Sequence, residues 1–382
     1  MTSALEASMA EQPVRPTHVE VDLGCLAQNL SAIQQHVGSA RVMTILKANA
    51  YGHGLVPVAN HMVQCGVDYL GVAFLEEGIL LRRQGITAPI LVLGGIAGEQ
   101  IPLFLQHDLT LTAPSVEKLH LINETAAAMG RRARVHLKID TGMERIGIHY
   151  YSAATLLEAS LACAHVQVEG IYSHFANADA ADLGHAKLQL ERFHEVLTFY
   201  EKHSLPVPMR HMANSAGILQ LPESHLDLVR PGILLYGVYP SADCQQTVPV
   251  RPALTWKSRV AYFKVVQPGH PVSYGSTWQS DHPVRVITVP VGYGDGYFRA
   301  LSNKSEVIVR GVRYPVIGRV CMDQMMVNLD QGTAYNGDEV ILLGSSEGQS
   351  ISAAEVAEWA GTIPYEVLTN INTRVPRLYR NG

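Results

Sequence analysis

Over the first 240 residues the apolar positions fall into two alternating patterns. Short runs rich in Val, Ile and Leu predict strands at Val42–Leu46, Tyr69–Ala73, Ile90–Leu93, Leu109–Thr112, Val135–Ile139, Val166–Ile171, Met209–Met212 and Leu226–Val229. Between them, apolar residues recur at helical spacing. Those stretches predict helices at Leu55–Cys65, Leu75–Gln84, Ser115–Met129, Ser152–Cys163 and His185–His203. Ser115 is placed to cap its helix, with Glu117 in the first turn at the positive end of the dipole. Eight strands, each followed by a helix or turn, are the pattern of a (β/α)8 barrel.

The pattern changes near Ser241. Tyr239–Pro252 holds three prolines among polar residues, as a linker does. Beyond it, shorter alternating runs predict strands at Arg259–Val266, Val284–Val289, Glu306–Val309, Val320–Leu329 and Glu339–Leu343. Asn336-Gly337-Asp338 signals a turn, and Ser352 stands where it can cap a helix over Ala353–Trp359. The expected fold is therefore α/β: a loose N-terminal tail (1–18), a (β/α)8 barrel (19–248) and a β-rich C-terminal domain (249–382).

Composition narrows the function classes. With 382 residues, 47% of them hydrophobic and 16% charged, the chain can build more than one core. A formal charge of -5 leaves no basic footprint for nucleic acid or an anionic membrane. Cys25, Cys65, Cys163, Cys244 and Cys321 are widely spaced and form no C-x-x-C pair. Neither a disulfide framework nor a metal site is expected, and a reducing, cytoplasmic setting fits best. Met1–His18 lacks the basic start and apolar run of a secretory signal, and no segment reads as a membrane span.

Candidate chemistry gathers at the C-terminal ends of the barrel strands, the face where such barrels keep their sites. Lys47 ends the first strand, Lys138 and Asp140 the fifth, and Ser173 and His174 the sixth. Asn214 and Ser215 follow the seventh, Arg230 and Gly232 the eighth. A lysine leaving a buried apolar strand is partly desolvated, which lowers its pKa and suits it to Schiff-base chemistry. Taken alone it reads more readily as a rim lysine in a salt bridge, since lysine is common at strand ends. Asn214-Ser215-Ala216-Gly217 opens a short helical stretch whose free N–H groups suit an anion, and Gly232 admits close backbone approach. An N-cap and a turn account for the same residues.

Longer strings carry a resemblance. They are K-A-N-A-Y-G-H-G (Lys47–Gly54), K-I-D-T-G-M-E-R-I-G (Lys138–Gly147), Y-S-H-F-A (Tyr172–Ala176), A-N-S (Ala213–Ser215) and V-R-P-G-I (Val229–Ile233). The series continues with V-S-Y-G (Val272–Gly275), V-G-Y-G-D-G (Val291–Gly296), C-M-D-Q (Cys321–Gln324) and P-Y-E (Pro364–Glu366). In this order, from Thr17 to the C-terminus, the chain resembles the alanine racemases, fold-type III enzymes that use pyridoxal 5'-phosphate (PLP).

The resemblance implies interconversion of L- and D-alanine by a homodimer whose sites are shared across the interface. Lys47 would carry PLP as a Schiff base and serve as one base, and Tyr274 of a second copy would be the opposing base. Arg230 would face the pyridine nitrogen. Tyr51, Ser215, Gly232 and Tyr365 would hold the phosphate, with His174, Asn214 and Ile233 also at the cofactor. Arg145 would bind the cofactor's phenolic oxygen and the substrate carboxylate. Met322, from the second copy, would offer its backbone N–H to that carboxylate, with Tyr293 lining the pocket. Lys138 would be open to carbamylation, its new carboxylate then fixing Arg145; otherwise another anion must stand near the pair.

Chemistry supports this division. PLP acidifies the α-hydrogen, and inversion needs proton removal on one face and delivery on the other. Lysine and tyrosine, both with reference pKa values near about 10, must be tuned toward neutrality. His174 and Arg230 beside the tyrosine would favour its phenolate. An arginine at the pyridine nitrogen keeps its own proton, so the ring withdraws electrons weakly and the carbanion is short-lived. Fold-type III decarboxylases carry a carboxylate there instead.

Glu144 departs from the family's string at a position that tolerates change. The product implies D-alanine supply for peptidoglycan precursors, or D-alanine catabolism. A racemase of serine or of several amino acids is the nearest alternative, and a non-catalytic PLP carrier a more distant one. Glu76-Glu77 reads as a solvated helix start and Cys321 as a packed side chain.

Overall fold

The computed structural model describes residues 14–381, which divide into two compact units. One comprises Leu26–Ala50 and Gly54–Arg251; the other gathers the N-terminal segment through Cys25, Tyr51–His53 and Pro252–Gly382.

Among the described residues up to position 230 lie ten strands: β1 (His18–Asp22), β2 (Arg41–Ile45), β3 (Tyr69–Val72), β4 (Ile90–Val92), β5 (Leu111–Ala113), β6 (Ala133–Asp140), β7 (Ile148–His149), β8 (Val166–Tyr172), β9 (Met209–His211) and β10 (Leu228–Val229). The first unit is a closed barrel of eight parallel strands. Strands β10, β2, β3 and β4 pair in that order, as do β5, β6, β8 and β9. A parallel bridge between Leu91 and Thr110 joins β4 to β5. Hydrogen bonds from Asp227 N to Arg210 O (3.1 Å) and from Arg230 N to Ala213 O (2.9 Å) link β9 to β10. All eight strands expected from the apolar runs are present. β7 is an extra two-residue strand laid on β6.

The intervening helices bury the faces that their spacing predicted. Val116–Ala128 turns Leu119, Ile122 and Ala126 inward, and Ser115 Oγ accepts from Lys118 N at 3.1 Å. Gly184–Lys202 buries Ala186, Leu190, Phe193 and Val196. A helix at Leu23–Val37 was not foreseen, because Gly24 and the polar Gln28-Asn29 obscure its apolar stripe.

The second unit is built on a mainly antiparallel sheet. Its further strands are β11 (Leu254–Arg259), β12 (Tyr262–Val266), β13 (Val284–Val289), β14 (Glu306–Val309), β15 (Val312–Ile317), β16 (Met325–Asp330), β17 (Glu339–Ser346), β18 (Gln349–Ile351) and β19 (Arg377–Arg380). The order is β12-β13-β16-β15-β14-β17-β11-β1-β19, with β18 on β17. The run expected at Arg259–Val266 is two strands, broken at Val260–Ala261. Ser352 caps Ala353–Ala360 in a reciprocal box with Glu355.

The N-terminal boundary differs from expectation. Residues 1–13 of the expected tail lie outside the described residues. Arg15 already binds Asp295 (Nη2 to Oδ2, 2.7 Å), and Thr17 Oγ1 donates to Pro290 O at 2.6 Å. β1 then pairs antiparallel with β11 and parallel with β19, with Val19 and Val21 fully buried. Alternating burial along His18–Asp22 makes it a sheet strand, so the barrel unit begins after Cys25.

Candidate active site

The barrel brings its expected residues to one end. β2 delivers Lys47 through Leu46, whose N–H is held by Gly71 O of β3 at 2.8 Å. The chain then enters a left-handed turn, with φ of 54°, 57° and 53° at Ala48, Asn49 and Ala50. Left-handed geometry costs roughly 1–2 kcal/mol per non-glycine residue, so the turn needs holding. Ala50 N donates to Leu46 O (2.7 Å), Gly54 N to Asn49 O (2.8 Å), Leu55 N to Asn49 Oδ1 (2.9 Å) and Ala48 N to Glu77 Oε1 (2.8 Å). Glu77 is therefore not the solvated helix start that the sequence suggested.

Lys47 itself reaches solvent, yet it is partly desolvated as expected. Its pKa is lowered: the protein crowded around it acts first, then the Arg145 charge and, more weakly, Arg230, with Glu77 opposing.

Lys138 lies fully inside β6. Its ammonium has one weak acceptor, Ile139 O at 3.4 Å, and sits 4.7 Å from the centre of the Tyr172 ring. Burial drives its pKa well below the ordinary value, Arg230 and Arg145 add to the fall, and Asp140 opposes it. Asp140 organises the following loop, accepting from Gly142 N (2.8 Å), Met143 N (3.0 Å) and Arg145 N (3.2 Å). That loop presents the Arg145 guanidinium, which has no carboxylate partner among the described residues. Glu144 adopts φ of 54° and pairs with His149 at 2.9 Å, away from this cluster.

Arg230 is the buried centre. Its Nη1 donates to His211 Nδ1 (2.8 Å), and its Nη2 to Ser173 O (2.8 Å), Met212 O (3.0 Å) and His174 Nδ1 (3.1 Å). Its Nε–H has no acceptor among the described residues. Burial lowers its pKa to about 10, so it stays protonated at neutral pH. His174 and His211 are both driven well below the usual imidazole range, by burial first and then by Arg230. Sequence reasoning missed His211 and its neighbour His136, 2.8 Å away. The available signal was His136 between the apolar Val135 and Leu137, inside a predicted buried strand. Gly170 makes room for it, since a Cβ there would lie 2.6 Å from His136 Nδ1.

After β9, Asn214 caps the helix Ser215–Gln220 by accepting from Gly217 N at 2.9 Å. Ser215 Oγ accepts from Gly232 N (2.9 Å) and Leu234 N (3.2 Å), which leaves its own proton to donate outward. Between those two amides, Ile233 opens a short 3-10 helix, where the first N–H has no partner within the helix. The donor set therefore fits an anionic cofactor. Lysine, two arginines, a serine hydroxyl and a helix start converge, and Arg230 has a donor to spare.

The remaining expected residues belong to the C-terminal unit. Tyr274 is 74% exposed at a turn whose preceding residue, Ser273, has φ of 67°. Ser273 Oγ donates to Arg319 O at 2.7 Å, and Tyr293 N and Gly294 N donate to Cys321 O (3.0 Å) and Met322 O (2.9 Å). Tyr293 and Met322, 43% and 53% exposed, are thus tied together. Cys321 is a free, half-buried thiol. Tyr51 and Tyr365 face each other with ring centroids 6.2 Å apart, and burial raises the Tyr51 pKa.

Comparison with known proteins agrees with this geometry. The alanine racemase N-terminal domain matches residues 21–240, and the alanine racemase C-terminal domain matches residues 253–379. A curated alanine racemase of Carboxydothermus hydrogenoformans is 45% identical over 368 residues, covering 96% of this chain and 100% of the relative. The solved alanine racemase of Clostridium difficile 630 superposes with a TM-score of 0.92 at 37% identity, over 97% of each chain. That of Bartonella henselae, described with covalently bound pyridoxal phosphate, gives 0.87 at 27% identity, over 96% of this chain and 100% of the other.

Proposed function

The chain belongs to the alanine racemase family, and on that premise we propose how its own residues divide the PLP-dependent interconversion of L- and D-alanine. The observation that carries the reading is the cationic cluster around Lys47. Arg145 and Arg230 act electrostatically on both Lys47 and Lys138, with Glu77 opposing them at Lys47 and Asp140 at Lys138. Such an excess of positive charge calls for a phosphate and a carboxylate.

PLP, when bound, withdraws electrons from the α-carbon and makes its hydrogen acidic. Lys47 would hold the cofactor's aldehyde carbon. Arg230 would offer its spare N–H to the pyridine nitrogen and keep its proton. Ser215 would donate its hydroxyl to the phosphate, joined by the backbone around Gly232 and Ile233 and by the helix start that Asn214 caps. His174, neutral beside Arg230, would line the same wall. Arg145 would fix the substrate carboxylate and the cofactor's phenolic oxygen, and a carbamate on Lys138 would supply the anion that the Lys138–Arg145 pair lacks.

Proton transfer needs two groups on opposite faces. Lys47 is the first, its amine eased toward neutrality by crowding and by two guanidiniums. Tyr274 is the second. Its exposure in the single chain, and that of Met322 and Tyr293, supports a homodimer in which a second copy supplies all three. Five widely spaced cysteines without a C-x-x-C pair support a reducing, cytoplasmic setting, and D-alanine supply for peptidoglycan precursors is the role we assign.

The test is direct. Purified protein incubated with L-alanine in heavy water should lose optical activity while deuterium enters the α-carbon. Retained optical activity with no deuterium at the α-carbon, in protein with PLP bound, would overturn the reading.

A further inference from the structure

We propose that Glu77 is a positioning residue for Lys47: its carboxylate holds the left-handed turn that aims the lysine. This rests on the reading of Lys47 as a proton-transfer base and adds the group that fixes its direction.

Both carboxylate oxygens are committed to backbone, and to two different strand ends. Oε1 accepts from Ala48 N at 2.8 Å, the amide directly after Lys47. Oε2 accepts from Ala73 N at 2.8 Å and Phe74 N at 3.2 Å, just beyond β3. A glutamate in the first turn of a helix commonly reaches back to its own cap, and the Phe74 bond is that contact. The Ala48 bond is different, because it spans 29 residues and meets the first residue of the strained turn.

The strain makes the contact consequential. Ala48, Asn49 and Ala50 all sit at φ above 50° with no glycine among them. The other bonds of the turn start from Ala50 onward or from Asn49; Glu77 alone grips Ala48 among the described residues. Releasing that amide lets the first residue relax toward the right-handed or extended basin, and the Lys47 side chain rotates with it. Glu77 is also the anion that acts on Lys47 against Arg145 and Arg230.

The variants separate positioning from simple helix capping. Glu77→Asp retains the charge and the local cap at Ala73 and Phe74 but falls short of Ala48; Glu77→Gln retains the length and loses the charge. With the holoenzyme of each, we expect at least tenfold lower kcat and an altered visible circular dichroism of the bound PLP. With α-deuterated alanine the primary isotope effect should rise for one enantiomer only, the one that Lys47 deprotonates. Adding Ala48→Gly, which accepts the left-handed backbone without strain, should restore at least a third of the loss in each variant.

A primary isotope effect that changes alike for both enantiomers, unchanged circular dichroism and no rescue by Ala48→Gly would overturn the inference and leave Glu77 a helix cap. Borohydride fixation of PLP in the wild type keeps the two readings apart. An adduct on Lys47 without rescue defeats the role of Glu77, whereas no adduct on Lys47 defeats the function itself.

Discussion

Arg230 Nη1 and His211 Nδ1 lie 2.8 Å apart in the buried barrel end, and the chemistry of the pair fixes a tautomer. A guanidinium only donates, so His211 Nδ1 accepts and its proton rests on Nε2. That proton faces His136 Nδ1 at 2.8 Å, which places the proton of His136 on Nε2, where no acceptor exists among the described residues. The guanidinium thus orders two imidazoles in series, and they in turn hold its plane. His211→Phe removes the acceptor of Arg230 and the donor to His136 together. We expect a loss of about 2 kcal/mol or more in urea denaturation, with reduced turnover from a misoriented Arg230. A variant as stable as the parent would contradict the chain.

The same histidines set an acid limit on stability. Burial first, and then Arg230, hold His136 to about 3 and drive His174 and His211 well below their ordinary 6.5. The native state keeps all three neutral while the unfolded chain binds protons near pH 6.5. Their contribution is therefore fully present above about pH 6.5 and is lost as pH falls toward the native values, by roughly 1 kcal/mol per pH unit for each. Urea midpoints at pH 7.5 and pH 5.5 should differ accordingly, and the slope should be shallower in His211→Phe. A midpoint flat across that interval would show that these groups already titrate in the folded protein.

If Lys47 and Tyr274 of one site come from different chains, inactive variants should complement. Homodimers of Lys47→Ala and of Tyr274→Phe should each lose nearly all turnover. Subunit exchange between them creates heterodimers with one intact site of two, so random mixing should recover about a quarter of wild-type activity. No recovery after demonstrated exchange would place both groups on the same chain.

Much of this was legible in the sequence because barrel strands are buried on both faces and print as continuous apolar runs. Val42–Leu46 ended at Lys47, Lys138 fell near the end of Val135–Ile139, and the alternation of strand and helix did the rest. What escaped notice has no such signature. The left-handed turn at Ala48–Ala50 contains no glycine, so it reads as an ordinary helix start. Glu77 looks like any first-turn acid, because a contact 29 residues away leaves no trace in local spacing. β19 is Arg377-Leu378-Tyr379-Arg380, too polar for a strand pattern, and it forms beside β1 only after the chain has returned to its beginning. His136 and His211 were hidden because each shares its strand with other polar residues, and their mutual contact spans 75 residues.

The central claim is that the amine of Lys47 carries the cofactor. Reduction of the holoenzyme with borohydride, followed by peptide mapping, should place a pyridoxyl group on Lys47 and leave Lys138 unlabelled. A reduced adduct on any other lysine, or none at all in protein that contains PLP, would contradict it.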